Sequence, residues 1–121
     1  MAMHGDLSPE ARDRAGRTVD AAAVFADHAE HIVAALPEVP DGHVLVAVVD
    51  DDHSFTGTHH VEQERLVERI PELEGDGGWA MVFTLGVDED AVRRRTEEMA
   101  TLARRRGEII DRIRAKREDQ V

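Results

Sequence analysis

Imidazole and carboxylate side chains are concentrated between residues 50 and 62, where they could bind a metal ion. Asp50 opens a run of three aspartates, and His60 is followed two residues later by Glu62. Imidazole and carboxylate together are suitable ligands for zinc, nickel, iron or manganese. The candidate metal ligands are therefore His60, Glu62 and Asp50. The alternative interpretation is a solvated acidic turn beside ordinary surface histidines, which needs no metal.

The triplet His60-Val61-Glu62 stands where a predicted strand runs into a predicted helix. In this position it resembles the core of the cytidine deaminase-like fold, in which a β-hairpin precedes a helix that opens with His-x-Glu. The resemblance implies that His60 would bind zinc and that Glu62 would move protons to and from the metal-bound water. That family completes its zinc site with two cysteines, where this chain has the stretch 86–90, Gly-Val-Asp-Glu-Asp. One functional alternative is therefore a small metal-dependent enzyme or binder with its site at the hairpin.

Other common catalytic and cofactor sites are excluded by composition. The 121 residues contain no cysteine, which rules out disulfides, thiol nucleophiles and zinc sites built from thiolates. The glycine-rich stretch 74–78 precedes a strand rather than a helix, and its acids would repel phosphate. We therefore assign no catalytic residues, expect no cofactor and prefer a non-enzymatic function.

The charge of the chain is unevenly distributed. Residues 1–90 hold 20 acids and five arginines, whereas residues 91–121 hold ten lysines and arginines against six acids. The acidic body argues against a nucleic-acid partner, because phosphate binding needs clustered positive charge. The basic segment could instead contact the acidic body of another copy. No apolar run approaches membrane-spanning length, so we expect a soluble, cytoplasmic protein without membrane contact.

The elements that must position these residues alternate between helix and strand. Apolar periodicity predicts, in order, a helix over 8–36, a β-hairpin over 43–61, a helix over 62–70, a strand over 79–85 and a long helix over 88–121. Gly107 is a candidate break in the last helix. The order α-β-β-α-β-α predicts a single small α+β domain with two layers. Because a helix joins the second and third strands, a mixed sheet with helices mainly on one face is favoured.

The predicted C-terminal helix carries a heptad-like apolar pattern. Its length, at ~1.5 Å per residue, exceeds what three strands can cover. We therefore expect four of its residues to bind a partner: Met99, Ile109, Ile110 and Ile113. The preferred function is that of a small acidic interaction protein that self-associates as a homo-oligomer, or docks another protein, through this helix.

Overall fold

The computed structural model describes residues 9–119 and contains a three-stranded sheet covered by helices on both faces. The elements are α1 (Pro9–Asp27), α2 (Ala29–Ala35), β1 (His43–Val49), β2 (Phe55–Glu62), α3 (Leu66–Glu74), β3 (Trp79–Phe83) and α4 (Glu89–Asp119). The predicted α+β class and order of elements are confirmed. Within residues 9–119, no helix is both long enough and apolar enough to cross a membrane.

Strand β1 forms the centre of the fold because its apolar side chains are buried on both faces of the sheet. Alternate residues pack into two separate clusters. The cluster towards α1, α2 and α4 contains Leu45, Ala47 and Val49 together with Phe25, Ile32 and Val92. The cluster towards α3 contains Val44, Val46 and Val48 together with Val61, Leu66 and Leu73. A continuous apolar run is typical of a strand covered in this way, and three of the four helices lie on one face as expected.

The expectation of a mixed sheet is wrong, because both strand pairs are antiparallel. The strand order is β2-β1-β3, and β1 runs antiparallel to each neighbour. The crossover through α3 does connect two strands that run in the same direction, but β1 lies between them. The helical connection therefore indicated the relative direction of β2 and β3 correctly. It carried no information about which strand occupies the position between them.

The first predicted helix is divided at His28. The ring Nδ1 of His28 lies 2.8 Å from the carbonyl oxygen of Val24, which is also 3.2 Å from the His28 backbone nitrogen. The imidazole therefore competes with the backbone for a helical carbonyl group, and a new helix, α2, begins at Ala29. Ser8, the predicted start of the first helix, lies outside the described residues, as do residues 120 and 121.

The bounds of the second predicted helix and the candidate break in the last one also differ from the prediction. The strand β2 continues to Glu62 and a 3₁₀ turn follows, so the helix expected from residue 62 begins at Leu66. Pro71 lies inside α3 and lacks the N–H that would bond to the carbonyl of Val67. That turn faces solvent, because Val67 is 87% exposed, and water can replace the missing donor. Gly107 does not interrupt α4.

Candidate interaction surface

Helices α1 and α4 pack as an antiparallel pair that extends past the sheet. The 31 residues of α4 span ~46 Å, whereas the eight residues of β2 span ~26 Å. We call residues 9–18 of α1 and 99–119 of α4 the arm. Within the arm, the Nε of Arg12 lies 2.6 Å from the Oδ1 of Asp111. These two residues stand near opposite ends of the chain, so the arm joins the two termini of the fold.

Small residues allow the two helices of the arm to approach closely. Ala15 and Ala103 are 6% and 7% exposed, and a Cβ added to Gly107 would lie 3.9 Å from the Cβ of Ala15. Ile110 is 4% exposed and is therefore buried inside its own chain. Because these contacts lie outside the cluster over the sheet, the arm has a small apolar core of its own.

One flank of the arm exposes large apolar side chains. Leu102 is 66% exposed, Ile109 52% and Ile113 37%, and we call these three residues the exposed stripe. At ~100° per residue they lie within an arc of ~40° on α4, and Arg106 stands between Leu102 and Ile109 on the same flank. Among the described residues, the other large hydrophobic side chains with comparable exposure are Val67 and Leu85. The arm therefore carries most of the exposed large apolar side chains of the fold.

A groove of about 430 Å³ lies beside the exposed stripe, between α1 and α4. Its apolar lining comes from Ala11, Ala15, Met99, Leu102 and Ala103. Arg14 and Arg106 contribute positive charge at its walls. At its inner end, Thr18 accepts a hydrogen bond of 3.3 Å from the indole nitrogen of Trp79. The groove is thus mainly apolar, has two guanidinium groups at its walls, and contacts the sheet through the hydrogen bond between Thr18 and Trp79.

The structure places the four predicted partner-binding residues in two different environments. Met99 is half-buried against the main core and Ile110 is buried within the arm, so the chain already covers both. Ile109 and Ile113 are exposed on the neighbouring flank. Leu102 was missed as a member of this surface. The spacing of residues 102, 106, 109 and 113, which alternates four, three and four, is a second heptad-like line that could have identified it.

The three candidate metal ligands do not come together. His60 pairs with Leu45 near the start of β1, whereas Asp50 directly follows Val49 at its other end. Leu45 and Asp50 are five positions apart along the strand, which corresponds to ~17 Å. His60 and Glu62 share one face of β2 and line a small cleft of about 160 Å³ together with His43, Arg65 and Arg69. Two guanidinium groups beside this cleft disfavour the binding of a metal cation there.

The resemblance to the cytidine deaminase-like fold fails on local structure. That fold needs His-x-Glu at the opening of a helix, but His60, Val61 and Glu62 all lie within β2. The following helix, α3, begins four residues after Glu62. Because a strand turns alternate side chains to one face, His60 and Glu62 lie beside each other along the edge of the sheet.

The aspartates of the β1–β2 turn are the one group of His, Asp or Glu side chains within residues 9–119 whose ligand atoms lie close enough to hold an ion. These atoms lie within 4.8 Å of one another. The Oδ1 of Asp50 accepts hydrogen bonds from the backbone N–H groups of Asp52 at 3.0 Å and Ser54 at 2.9 Å. Such bonds build a tight turn, and they account for an aspartate at position 50 without a metal.

Comparison with known proteins gives no functional assignment. No protein-family model, no curated protein and no solved structure matches the chain. The function must therefore be inferred from the exposure, charge and geometry of the chain's own residues.

We predict that His60→Ala and Glu62→Gln each leave the free energy of unfolding within ~0.5 kcal/mol of the wild type, because both side chains are exposed. Urea denaturation measures this change. Elemental analysis of protein purified without chelator should detect no transition metal near one equivalent. A metal at that level in the wild type, lost in His60→Ala, would contradict the prediction and support the metal-dependent alternative.

Proposed function

We propose that this chain is a non-enzymatic interaction protein of the cytoplasm that self-associates through its arm. The single observation that carries the proposal is the exposed stripe of Leu102, Ile109 and Ile113 beside an apolar groove. A contiguous exposed apolar surface rimmed by charged residues is typical of a protein–protein contact. Burying these side chains against a partner would remove apolar surface from water, at ~25 cal/mol per Å².

Charge favours the body of a second copy as the partner of the arm. Arg104, Arg105 and Arg106 follow one another on the exposed part of α4, and Arg106 lines the groove. The counterpart that we propose is α3, on which Val67 is 87% exposed and is followed by Glu68, an exposed carboxylate that lies 3.7 Å from the Nη2 of Arg65. An apolar side chain beside a carboxylate is complementary to an apolar groove bounded by arginines. The arm of one copy would thus bind α3 of another.

Sedimentation of single-charge variants tests the role of the exposed stripe. Ile109→Glu should weaken self-association at least tenfold, because it places a carboxylate within the apolar contact at a cost above ~1.4 kcal/mol. Ala115→Glu is the matched control, since it adds the same charge to an exposed position of α4 off the stripe. A wild type that stays monomeric at millimolar concentration would refute the proposal, and so would equal behaviour of the two variants.

A charge exchange tests whether α3 is the surface that the arm binds. Arg106→Glu and Glu68→Arg should each weaken association, and the double variant should restore it, because the opposed charges are exchanged. Added salt should weaken the wild-type complex, since exposed charges are screened within ~10 Å at 0.1 M ionic strength. Failure of the double variant to recover would exclude α3 as the partner surface while leaving the exposed stripe in place.

A further inference from the structure

The two outer edges of the sheet differ in whether their backbone groups are already occupied. On the outer edge of β3, the N–H of Ala80 donates to the Oε2 of Glu74 at 3.1 Å. The carbonyl group of Val82 accepts a hydrogen bond from the guanidinium group of Arg95. A further strand could pair with β3 only by displacing these side chains, so this edge is protected.

The same contacts identify the backbone groups that β2 presents to solvent. Alternate residues of a strand direct their N–H and C=O groups to opposite sides. Ala80 faces outwards and pairs with Val48, so Val48 directs its backbone groups towards β2. Ala47 therefore directs its groups towards β3, and its partner on β2 faces away from the sheet. Continued along β2, this alternation leaves three outward-facing residues: Thr58, His60 and Glu62.

The outer edge of β2 lacks the features that usually protect an edge strand. Within residues 9–119, no strand pairs with it on that side. Its sequence, Phe-Thr-Gly-Thr-His-His-Val-Glu, contains no lysine or proline, and its one formally charged residue is the terminal Glu62. The irregularity in its pairing lies at the other end, between Val48 and Val49 of the partner strand. Residues 58–62 therefore form a regular, unpaired edge.

We propose that this edge pairs with the same edge of a second copy, antiparallel about a two-fold axis at His60, to form a continuous six-stranded sheet. In this register the two His60 residues form a hydrogen-bonded pair. Thr58 of each copy lies opposite Glu62 of the other copy. The outward N–H and C=O groups of all three positions then find partners, as in the pairing of an extended peptide with an open sheet edge.

The charges of β2 are compatible with pairing to a second copy. Two-fold symmetry places the two Glu62 carboxylates at opposite ends of the paired segment, ~13 Å apart, so that they do not repel at close range. Each carboxylate is also the diagonal neighbour of the His60 imidazole from the other copy, on the same face of the sheet.

The interface is isologous, so it closes as a dimer and leaves no free β2 edge. This contact is independent of the arm, because it uses other residues and backbone hydrogen bonds.

Amide hydrogen exchange of the wild-type protein tests the pairing directly. From micromolar to millimolar concentration, the amides of Thr58, His60 and Glu62 should slow at least ~10-fold, because they become hydrogen-bonded between copies. The amides of His59 and Val61 already face β1 and should change little. Ile109→Glu should not alter this pattern, which separates the edge contact from association through the arm. Unprotected exchange at all three positions at every concentration would overturn the proposal.

Two substitutions at the axis provide an independent test by sedimentation. His60→Pro removes the central outward N–H and should abolish pairing, because proline is tolerated on an edge strand only where that group faces solvent. His60→Thr is the matched control, since it removes the imidazole but keeps the N–H and a residue that favours strands. We expect pairing in His60→Thr and none in His60→Pro, both measured in the Ile109→Glu background. Equal association of the two variants would contradict the proposal.

Discussion

Gly78→Ala should lower the free energy of unfolding by ~3 kcal/mol, a large part of the ~5–15 kcal/mol that holds a domain together. A Cβ at position 78 would lie 2.5 Å from the carbonyl oxygen of Glu74 and 2.7 Å from that of Val49. Both are backbone atoms, so neither can rotate away as a side chain would. Relief of the clash requires the end of α3 to move away from β1.

Gly16→Ala is the matched control for this prediction. No atom lies within 4 Å of a Cβ at position 16, and the residue is exposed inside α1. Alanine restricts the unfolded chain more than glycine does, so this variant should be more stable by ~0.5–1 kcal/mol. Urea denaturation of the two variants measures both shifts. Wild-type stability in Gly78→Ala would show that β1 and the end of α3 do not approach as closely as described.

Ile110→Glu should separate the outer parts of α1 and α4. Ile110 is 4% exposed, and a carboxylate without a partner at a buried position costs ~3 kcal/mol. The end of a helix can avoid this cost by unfolding, so we expect loss of structure in the outer arm before the sheet melts. Hydrogen exchange of peptides from residues 105–119 measures this local opening.

Ile109→Glu is the neighbouring control, since it makes the same chemical change one position earlier, where the side chain is 52% exposed. It should leave exchange in residues 105–119 close to that of a monomeric wild type. The contrast between adjacent isoleucines tests the orientation of α4 directly. Similar exchange in the two variants would mean that α4 does not bury Ile110 against the rest of the arm.

The central strand could be predicted because its sequence has one physical explanation. Six consecutive apolar residues from Val44 to Val49 must be covered on both faces, and they are. The strand order could not be predicted in the same way. A helix between β2 and β3 is compatible with adjacent strands or with an intervening strand, and the choice depends on long-range packing. The division of the first helix at His28 could not be predicted either, because it arises from the His28 side chain competing for the carbonyl of Val24.

The sequence identified the helix that carries the candidate surface, but not which face of that helix is exposed. The apolar positions of α4 form two neighbouring lines, and a pattern alone does not show which line the chain buries. In the rotation that α4 adopts, Gly107 faces Ala15, Ile110 turns inwards and Ile109 turns outwards. The candidate metal ligands of the hairpin were grouped wrongly from their closeness in sequence. His60 and Glu62 were close in sequence to the aspartates of the turn, but the length of β2 separates them.

The ion pair between Arg12 and Asp111 has a consequence for synthesis of the chain on the ribosome. The two residues are 99 positions apart, so α1 leaves the ribosome long before its partner helix exists. About sixty residues separate the end of α1 from the start of α4, which corresponds to ~3–12 s of translation. During that interval the part of α1 that packs against α4 has no cover. The alanines at positions 15, 21 and 22 are small. They therefore limit the apolar surface of α1 that chaperones or other nascent chains would meet.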